Sequence, residues 1–353
     1  MQPHVTQKDI AEATGLNQST ISLALRGDPR VNEETREKIL KISRDLGYRK
    51  DPMLTALASY RDNMRQTNYR GTLAWLCDPV VYNLDYYEDS VWNLYREGAL
   101  EQATQHGYNL EVFEVDTDSI TQQRLSNILY HRGIEGVVLP PLLHAGPALK
   151  LDWERFAVVT FGWSVTEPRF HSVSPNHYQN SIEIVNNLHT LGYRRIAVVL
   201  MVSEKESTKL NFRLSGHGVE MKTVSSGLQK QIPTLYLEAQ NEKSMRALHT
   251  WYRKHQPDAL AIMKEGANFI LDSLKEIDVQ APRDVGVATF FYQRQMKDLA
   301  GINENSRDIG KAAVDILVGT IRRREFGVPN IRRMLQIEGV WQPAKSVREQ
   351  SIA

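Results

Sequence analysis

Three residues, Gly15-Leu16-Asn17, separate two stretches that each carry the signals of a short helix, and so short a connection forces the two helices to cross steeply. The first helix opens at Thr6, whose hydroxyl can cap it while Asp9, three residues on, completes a capping box; it ends near Thr14-Gly15. Asn17 is placed to cap the second, through Gln18, Ser19, Thr20, Ile21, Ser22, Leu23, Ala24 and Leu25, with Gly27 as the left-handed residue that ends it. Asn32 caps a third helix, Glu33 and Glu34 suit its positive N-terminal end, and Gly47 stops it. Ile10, Leu16, Ile21, Leu25, Ile39, Ile42 and Leu46 recur at helical spacing and can close one small core.

That core leaves Gln18, Ser19, Ser22, Leu23 and Arg26 on an outer stripe of the second helix, the arrangement a recognition helix needs to reach base edges in a major groove. Small capped three-helix units also occur in proteins that bind no DNA, so the motif needs its context. Asp51 can act as N-cap and Pro52 suits a first helical position, which predicts a short helix from Pro52 to about Tyr60. Isolated helices below ~12 residues are marginal in water. This one is expected to need a partner helix and a DNA surface. Residues 1–70 hold 12 Lys and Arg against 9 Asp and Glu, while the remainder holds 31 against 33, so the slight basic excess sits at the N-terminal end, toward phosphate.

These residues resemble the LacI/GalR family of bacterial transcription regulators. The matches are Val-Thr-x-x-Asp-Ile-Ala (5–11), Gly-Leu-x-x-Ser-Thr-Ile-Ser (15–22), Val-Asn-Glu-Glu-Thr-Arg-Glu-Lys-Ile (31–39), Leu-Gly-Tyr (46–48) and Ala-Leu-Ala (56–58). The resemblance implies an N-terminal all-α helix-turn-helix head (1–50) and hinge helix (51–60), then an α/β periplasmic-binding-protein-like effector domain of two subdomains. It also implies a homodimer on a palindromic double-stranded DNA operator, touched by Thr6, Gln18, Ser19, Thr20, Ser22, Leu23, Arg26, Asn32, Tyr48, Leu54, Leu57 and Ala58, with Leu57 entering the minor groove. Residues 61–70 read as a linker with three arginines, several residues longer than is usual in the family.

From Gly71 short apolar strands alternate with helices, as in a parallel α/β sheet. Strands are expected at Thr72–Cys77, Leu110–Val115, Gly136–Leu139, Ala157–Phe161, Arg195–Val202, Ala259–Met263 and Val285–Phe290. Helices are expected at Ser90–His106, Thr121–Arg132, about His177–Leu191, around Ser244–Lys254 and Ala267–Ile277, and Ser306–Phe326, the last burying Ile309, Ala313, Ile316, Leu317 and Ile321 against a sheet. Leu191-Gly192-Tyr193-Arg194-Arg195-Ile196-Ala197, Arg213-Leu214-Ser215-Gly216, Ala281-Pro282-Arg283-Asp284-Val285 and Ile309-Gly310-Lys311-Ala312-Ala313 extend the resemblance over nearly the whole chain. It implies an effector and dimerisation domain over 71–345, with a first subdomain of about 71–172 and 303–331 and a second of about 173–302 and 332–345. The final strand, near Met334 to Val340, is thereby expected in the second half. The tail, 346–353, shows no heptad repeat, and a dimer is expected.

No apolar run approaches the ~20 residues of a membrane span and the N-terminus lacks the apolar core of a signal peptide, so no membrane partner and a cytoplasmic, nucleoid-associated protein are expected. The single cysteine, Cys77, excludes an intramolecular disulfide and reads as a buried thiol. None of Gly-x-Gly-x-x-Gly, Gly-x-x-x-x-Gly-Lys-Ser/Thr, Gly-x-Ser-x-Gly or His-Glu-x-x-His occurs, which argues against an enzyme. No catalytic residue, cofactor or metal is expected; His171 and His177 lie close in sequence, but without a third ligand they read as a surface or hydrogen-bonded pair.

Ligands of open α/β sheets bind beyond the carboxyl ends of the strands. Residues following the strands, Asp78, Tyr82, Trp163, Arg213, Lys264, Glu265, Phe291 and Gln293, are therefore the candidate effector contacts, for a sugar or sugar derivative. Arg213 matches the family arginine that contacts the effector, and its guanidinium fork suits hydroxyls or a carboxylate. Elsewhere the family pattern is broken. Lys264-Glu265 replaces an Asn-Asp pair, Phe291 an aspartate, and Asn176 stands where an aspartate is usual. Trp163, Phe291, Tyr82 and Tyr86 are open to two roles, stacking on a ligand or filling the core. Beside a DNA-binding regulator that acts as a repressor stand a sugar-binding module or carbohydrate-active enzyme on the same fold, and a regulator whose cleft binds no ligand.

Overall fold

The computed structural model describes residues 5–25, 28, 30–48, 69–77, 91–115, 121–142, 149–201, 206–227 (backbone alone for 206–212), 232–292 and 296–350. The expected hinge helix and linker lie outside the described residues.

Three helices form the head: α1 (Gln7–Thr14), α2 (Gln18–Leu25) and α3 (Glu33–Asp45). Each local start and stop has a visible cause. Thr6 and Asp9 complete the capping box of α1, and Gly15 at φ 70° turns the chain out of it. The Asn32 side chain accepts from Thr35 N at 2.8 Å, and Gly47 is left-handed after α3. Ile10, Ile21, Ala24, Val31 and Ile39 are buried together, with Leu16, Leu25 and Ile42 packed on them. Leu46, expected in this core, is 39% exposed, because α3 stops at Asp45 and the chain turns at Gly47 before Leu46 can face inward. Arg36 reaches back to Asp28 O and Val31 O at 2.9 and 3.1 Å, tying the turn before α3 to its first helical turns.

The rest of the chain builds two six-stranded sheets. The first has the order β11-β5-β4-β3-β1-β2, from β1 (Gly71–Cys77), β2 (Tyr108–Glu114), β3 (Gly136–Leu139), β4 (Ala157–Phe161), β5 (His171–Pro175) and β11 (Met334–Ile337). The second has the order β12-β10-β9-β8-β6-β7, from β6 (Ile196–Met201), β7 (Leu235–Leu237), β8 (Ala259–Ile262), β9 (Gly286–Thr289), β10 (Ala300–Asn303) and β12 (Val340–Gln342). Every pairing is parallel except that of β10 with β12. Both faces of each sheet are covered, as parallel sheets require. In the first, Leu73, Trp75 and Cys77 face α4 (Val91–Gln105) and α10 (Ser306–Arg323), while Ala74 and Leu76 face α5 (Gln122–His131). In the second, Val198 and Leu200 face the side of α6 (His177–Thr190) and α7 (Glu206–Ser225), and Ala197 and Val199 that of α8 (Glu242–His255) and α9 (Ala267–Lys275).

The chain passes between the sheets three times, after Pro175, after Asn303 and after Ile337. One expectation is corrected here. Met334–Ile337 belongs to the first sheet, paired with Ser172–Pro175, and only β12 joins the second. The cause lies just upstream: Arg332 donates to Gly162 O and Ser172 Oγ, and Arg333 N to His171 Nδ1, docking the segment on β5 before Met334. The passage is made at Gly339, where a Cβ would stand 2.2 Å from Ile302 Cγ2 and 2.8 Å from Asn303 O.

Candidate functional site

On the head, α2 presents Gln18 and Ser19 exposed at its N-terminal turn, with Thr20 and Ser22 half-buried. Leu23 is not a free member of that stripe, since it packs against the buried core of the head. Thr6 is exposed but already engaged: its N and Oγ1 donate to Asp9 Oδ2 at 2.6 and 2.8 Å, holding the Asp9 carboxyl below its ordinary range. Asn32 is exposed at the start of α3, its side-chain oxygen spent on the cap. Tyr48 is half-buried against the core, and its hydroxyl accepts from Gln7 Nε2 at 3.3 Å, so the end of α3 is pinned to α1. Arg26, Leu54, Leu57 and Ala58 lie outside the described residues.

Of the cleft candidates, Asp78, Tyr82 and Gln293, with Tyr86, also lie outside them. Trp163 follows β4 and carries the Arg332 guanidinium 5.3 Å above its ring. Arg213, a candidate among the residues that follow β6, sits within α7, exposed and without an ion pair among the described residues. Lys264 and Glu265 follow β8 and face each other at 3.8 Å. Phe291 follows β9, with its ring set edge-on to His177 at 5.6 Å and 84°. Asn176 is the N-cap of α6, its side chain accepting from Gln179 N at 3.2 Å, so the amide serves the helix start.

The crossings bring a further group into this neighbourhood that the sequence reading passed over. Glu304, between β10 and α10, is 6% exposed, and its Oε1 lies 3.7 Å from Nδ1 of His177, which is 5% exposed at the start of α6. Neither atom has a hydrogen-bond partner among the described residues. Burial pushes the Glu304 carboxyl well up, opposed by the Lys264 charge and reinforced by Glu265; burial pulls His177 down to about 4. Tyr95, also raised by burial and then by Glu304, stacks on Phe161 at 4.8 Å. Phe291, His177 and Glu304 thus lie together where β9 and the first two crossings meet, within electrostatic reach of Lys264 and Tyr95. His171, read beside His177 as a surface or hydrogen-bonded pair, is buried and accepts from Arg333 N at 3.0 Å. No cluster of metal-ligating side chains occurs among the described residues. Glu304 was missed because its strand, Ala300–Asn303, is short and contains Gly301 and Asn303.

Comparisons with known proteins agree with this architecture. Residues 6–51 match the model of bacterial regulatory proteins of the lacI family, and residues 80–324 that of periplasmic binding proteins and the sugar binding domain of the LacI family. Catabolite control protein A of Staphylococcus epidermidis is 24% identical over 93% of this chain and 95% of its own. The HTH-type transcriptional regulator RegA of Clostridium saccharobutylicum is 23% identical over 92% and 94%. Among solved structures, the transcriptional regulator CelR in complex with cellobiose superposes with a TM-score of 0.56 at 17% identity, covering 97% of this chain and 100% of that one. The lac repressor dimer bound to operator and the anti-inducer ONPF gives 0.54 at 16%, covering 98% and 100%. The chain is a DNA-binding transcription regulator rather than an enzyme, and it belongs to the LacI family of bacterial regulatory proteins.

Proposed function

We propose that the chain is a dimeric, cytoplasmic repressor that binds a palindromic operator and is modulated by a small, sugar-like molecule in the cleft between its two sheets. The observation that carries the DNA half is the exposure of Gln18 and Ser19 at the N-terminal turn of α2, whose other face is locked into the core by Ile21 and Ala24. Side chains at that turn of a recognition helix are the ones that meet base edges. Thr20, Ser22 and Arg26 are assigned beside them, with Thr6, Asn32 and Tyr48 toward the backbone and Leu54, Leu57 and Ala58 in the hinge, Leu57 as a wedge that opens a base step. A two-fold site demands two heads held together.

The effector half is supported by the strand ends that converge on the crossings, where Trp163, Lys264, Glu265 and Phe291 stand, with Arg213 on α7 and Asp78, Tyr82 and Gln293 assigned from the sequence. Cellobiose in a neighbour of the same fold is consistent with a sugar in this chain's cleft. A ligand there acts by binding one relation of the two halves better than another. Selection of tight sites from random DNA is the direct test. A palindrome is expected, and an asymmetric consensus would sink the two-fold reading. Leu57→Ala is expected to weaken the selected site at least tenfold in a gel-shift titration, and equal binding would remove the wedge.

A further inference from the structure

The large majority of buried side-chain polar atoms in proteins have a hydrogen-bond partner, so two that face each other unpaired among the described residues mark a place where something belongs. Glu304 Oε1 and His177 Nδ1 are such a pair, both buried and set 3.7 Å apart at the start of two of the three crossings. That separation is too long for a direct hydrogen bond. It is well suited to a third atom: an oxygen about 2.8 Å from each closes the triangle at ordinary hydrogen-bond length. A hydroxyl both donates and accepts, so one hydroxyl can satisfy both groups whichever ring nitrogen of His177 carries its proton.

We propose that Glu304 and His177 together grip one hydroxyl of a neutral, hydroxyl-bearing effector, replacing the carboxylates that are absent at Asn176 and Phe291. Their surroundings fit that class. Burial pushes the carboxyl up and the imidazole down, and both shifts favour the uncharged forms, which suits a neutral ligand better than an ionic one. The Phe291 ring stands edge-on to His177, giving the polar pair an apolar neighbour. The third crossing is tied to the same place, since Asn180, one turn along α6 from His177, accepts from Gly339 N at 2.7 Å. A hydroxyl held by residues of two crossings bridges the two passages directly, which is how binding would bias the angle between the halves.

This assignment rests on the effector reading above, and the test separates the two. The full-length protein is titrated calorimetrically with a panel of neutral mono- and disaccharides, then with the monodeoxy derivatives of the tightest binder. Removal of one particular hydroxyl is expected to weaken binding to the parent protein 10- to 100-fold. That penalty is expected to shrink below threefold in Glu304→Ala and in His177→Ala. Should either alanine variant fail to fold, Glu304→Gln and His177→Gln keep the size and polarity of the sites, and the same deoxy derivative must be tolerated better by them than by the parent. A saccharide whose deoxy derivatives are discriminated alike by parent and variants would leave the effector reading standing and overturn the grip, the pair then holding only water. Absence of binding by any saccharide would overturn both.

Discussion

Thr6 serves α1 before it can serve anything else. Its hydroxyl accepts from Asp9 N at 3.4 Å and its own N and Oγ1 donate to the Asp9 carboxylate, so Thr6→Ala removes one side of a capping box. Such a loss costs about 1 kcal/mol, and thermal denaturation of the parent and the variant should show the head weakened by that amount. An unchanged head would mean that Asp9 alone supplies the cap. Gln18 behaves oppositely: exposed and outside the core, Gln18→Ala should leave folding unchanged and cost about 1–3 kcal/mol at the selected operator. An equal loss on unrelated DNA would assign Gln18 to phosphate instead of base. The sequence made these two positions legible because capping and exposure depend on near neighbours. It misled at Leu23, where helical spacing pointed outward and the packing of three helices draws the side chain onto the core. Spacing marks a face of one helix; what covers that face depends on the others.

The elements found from sequence are those with an apolar period of their own. β1, β3, β4, β6, β8 and β9 are apolar runs, and α10 shows Ile309, Ala313, Leu317 and Ile321 on one side, all buried. The missed elements have none. β5 reads His-Ser-Val-Ser-Pro, and α7 packs on α6 through Gly218, where a Cβ would stand 2.7 Å from Ser181 Cβ, and on Leu200 of β6 through Gly216. Small residues at a close helix contact leave no hydrophobic trace. The same economy governs α4 against α10: a Cβ on Gly98 would meet Arg307 O at 1.9 Å, and one on Gly310 would meet Tyr95 O at 2.0 Å. Each contact is with backbone, which cannot swing aside. Gly98→Ala and Gly310→Ala should therefore each destabilise the domain by about 1–3 kcal/mol, the range for overpacking. Urea denaturation measures it, and a neutral Gly310→Ala would show that the two helices slide freely.

At the scale of the molecule, the two sheets are joined by three strands of chain, and a buried acid stands at their meeting. Glu304 has its carboxyl raised chiefly by burial, with Lys264 opposing and Glu265 assisting, while His177 beside it is lowered to about 4 by burial. The two act on stability with opposite signs. A raised carboxyl contributes stability that is complete below its unfolded pKa of about 4.5 and is lost as pH rises toward the folded value. A depressed imidazole contributes stability that is complete above about 6.5 and is lost as pH falls toward 4. Where both groups lie between their unfolded and folded values, the slopes oppose each other. Glu304→Gln removes the carboxyl slope and keeps the shape. Its stability in urea relative to the parent should therefore climb as pH rises above about 4.5, by at most ~1.4 kcal/mol per unit. His177→Gln should show the reverse pattern, gaining on the parent only below about 6.5. A Glu304→Gln difference that stays flat as pH rises would mean that the carboxyl is ionised in the fold and already has a partner, in which case the pair is charged and suits a cationic ligand rather than a neutral one.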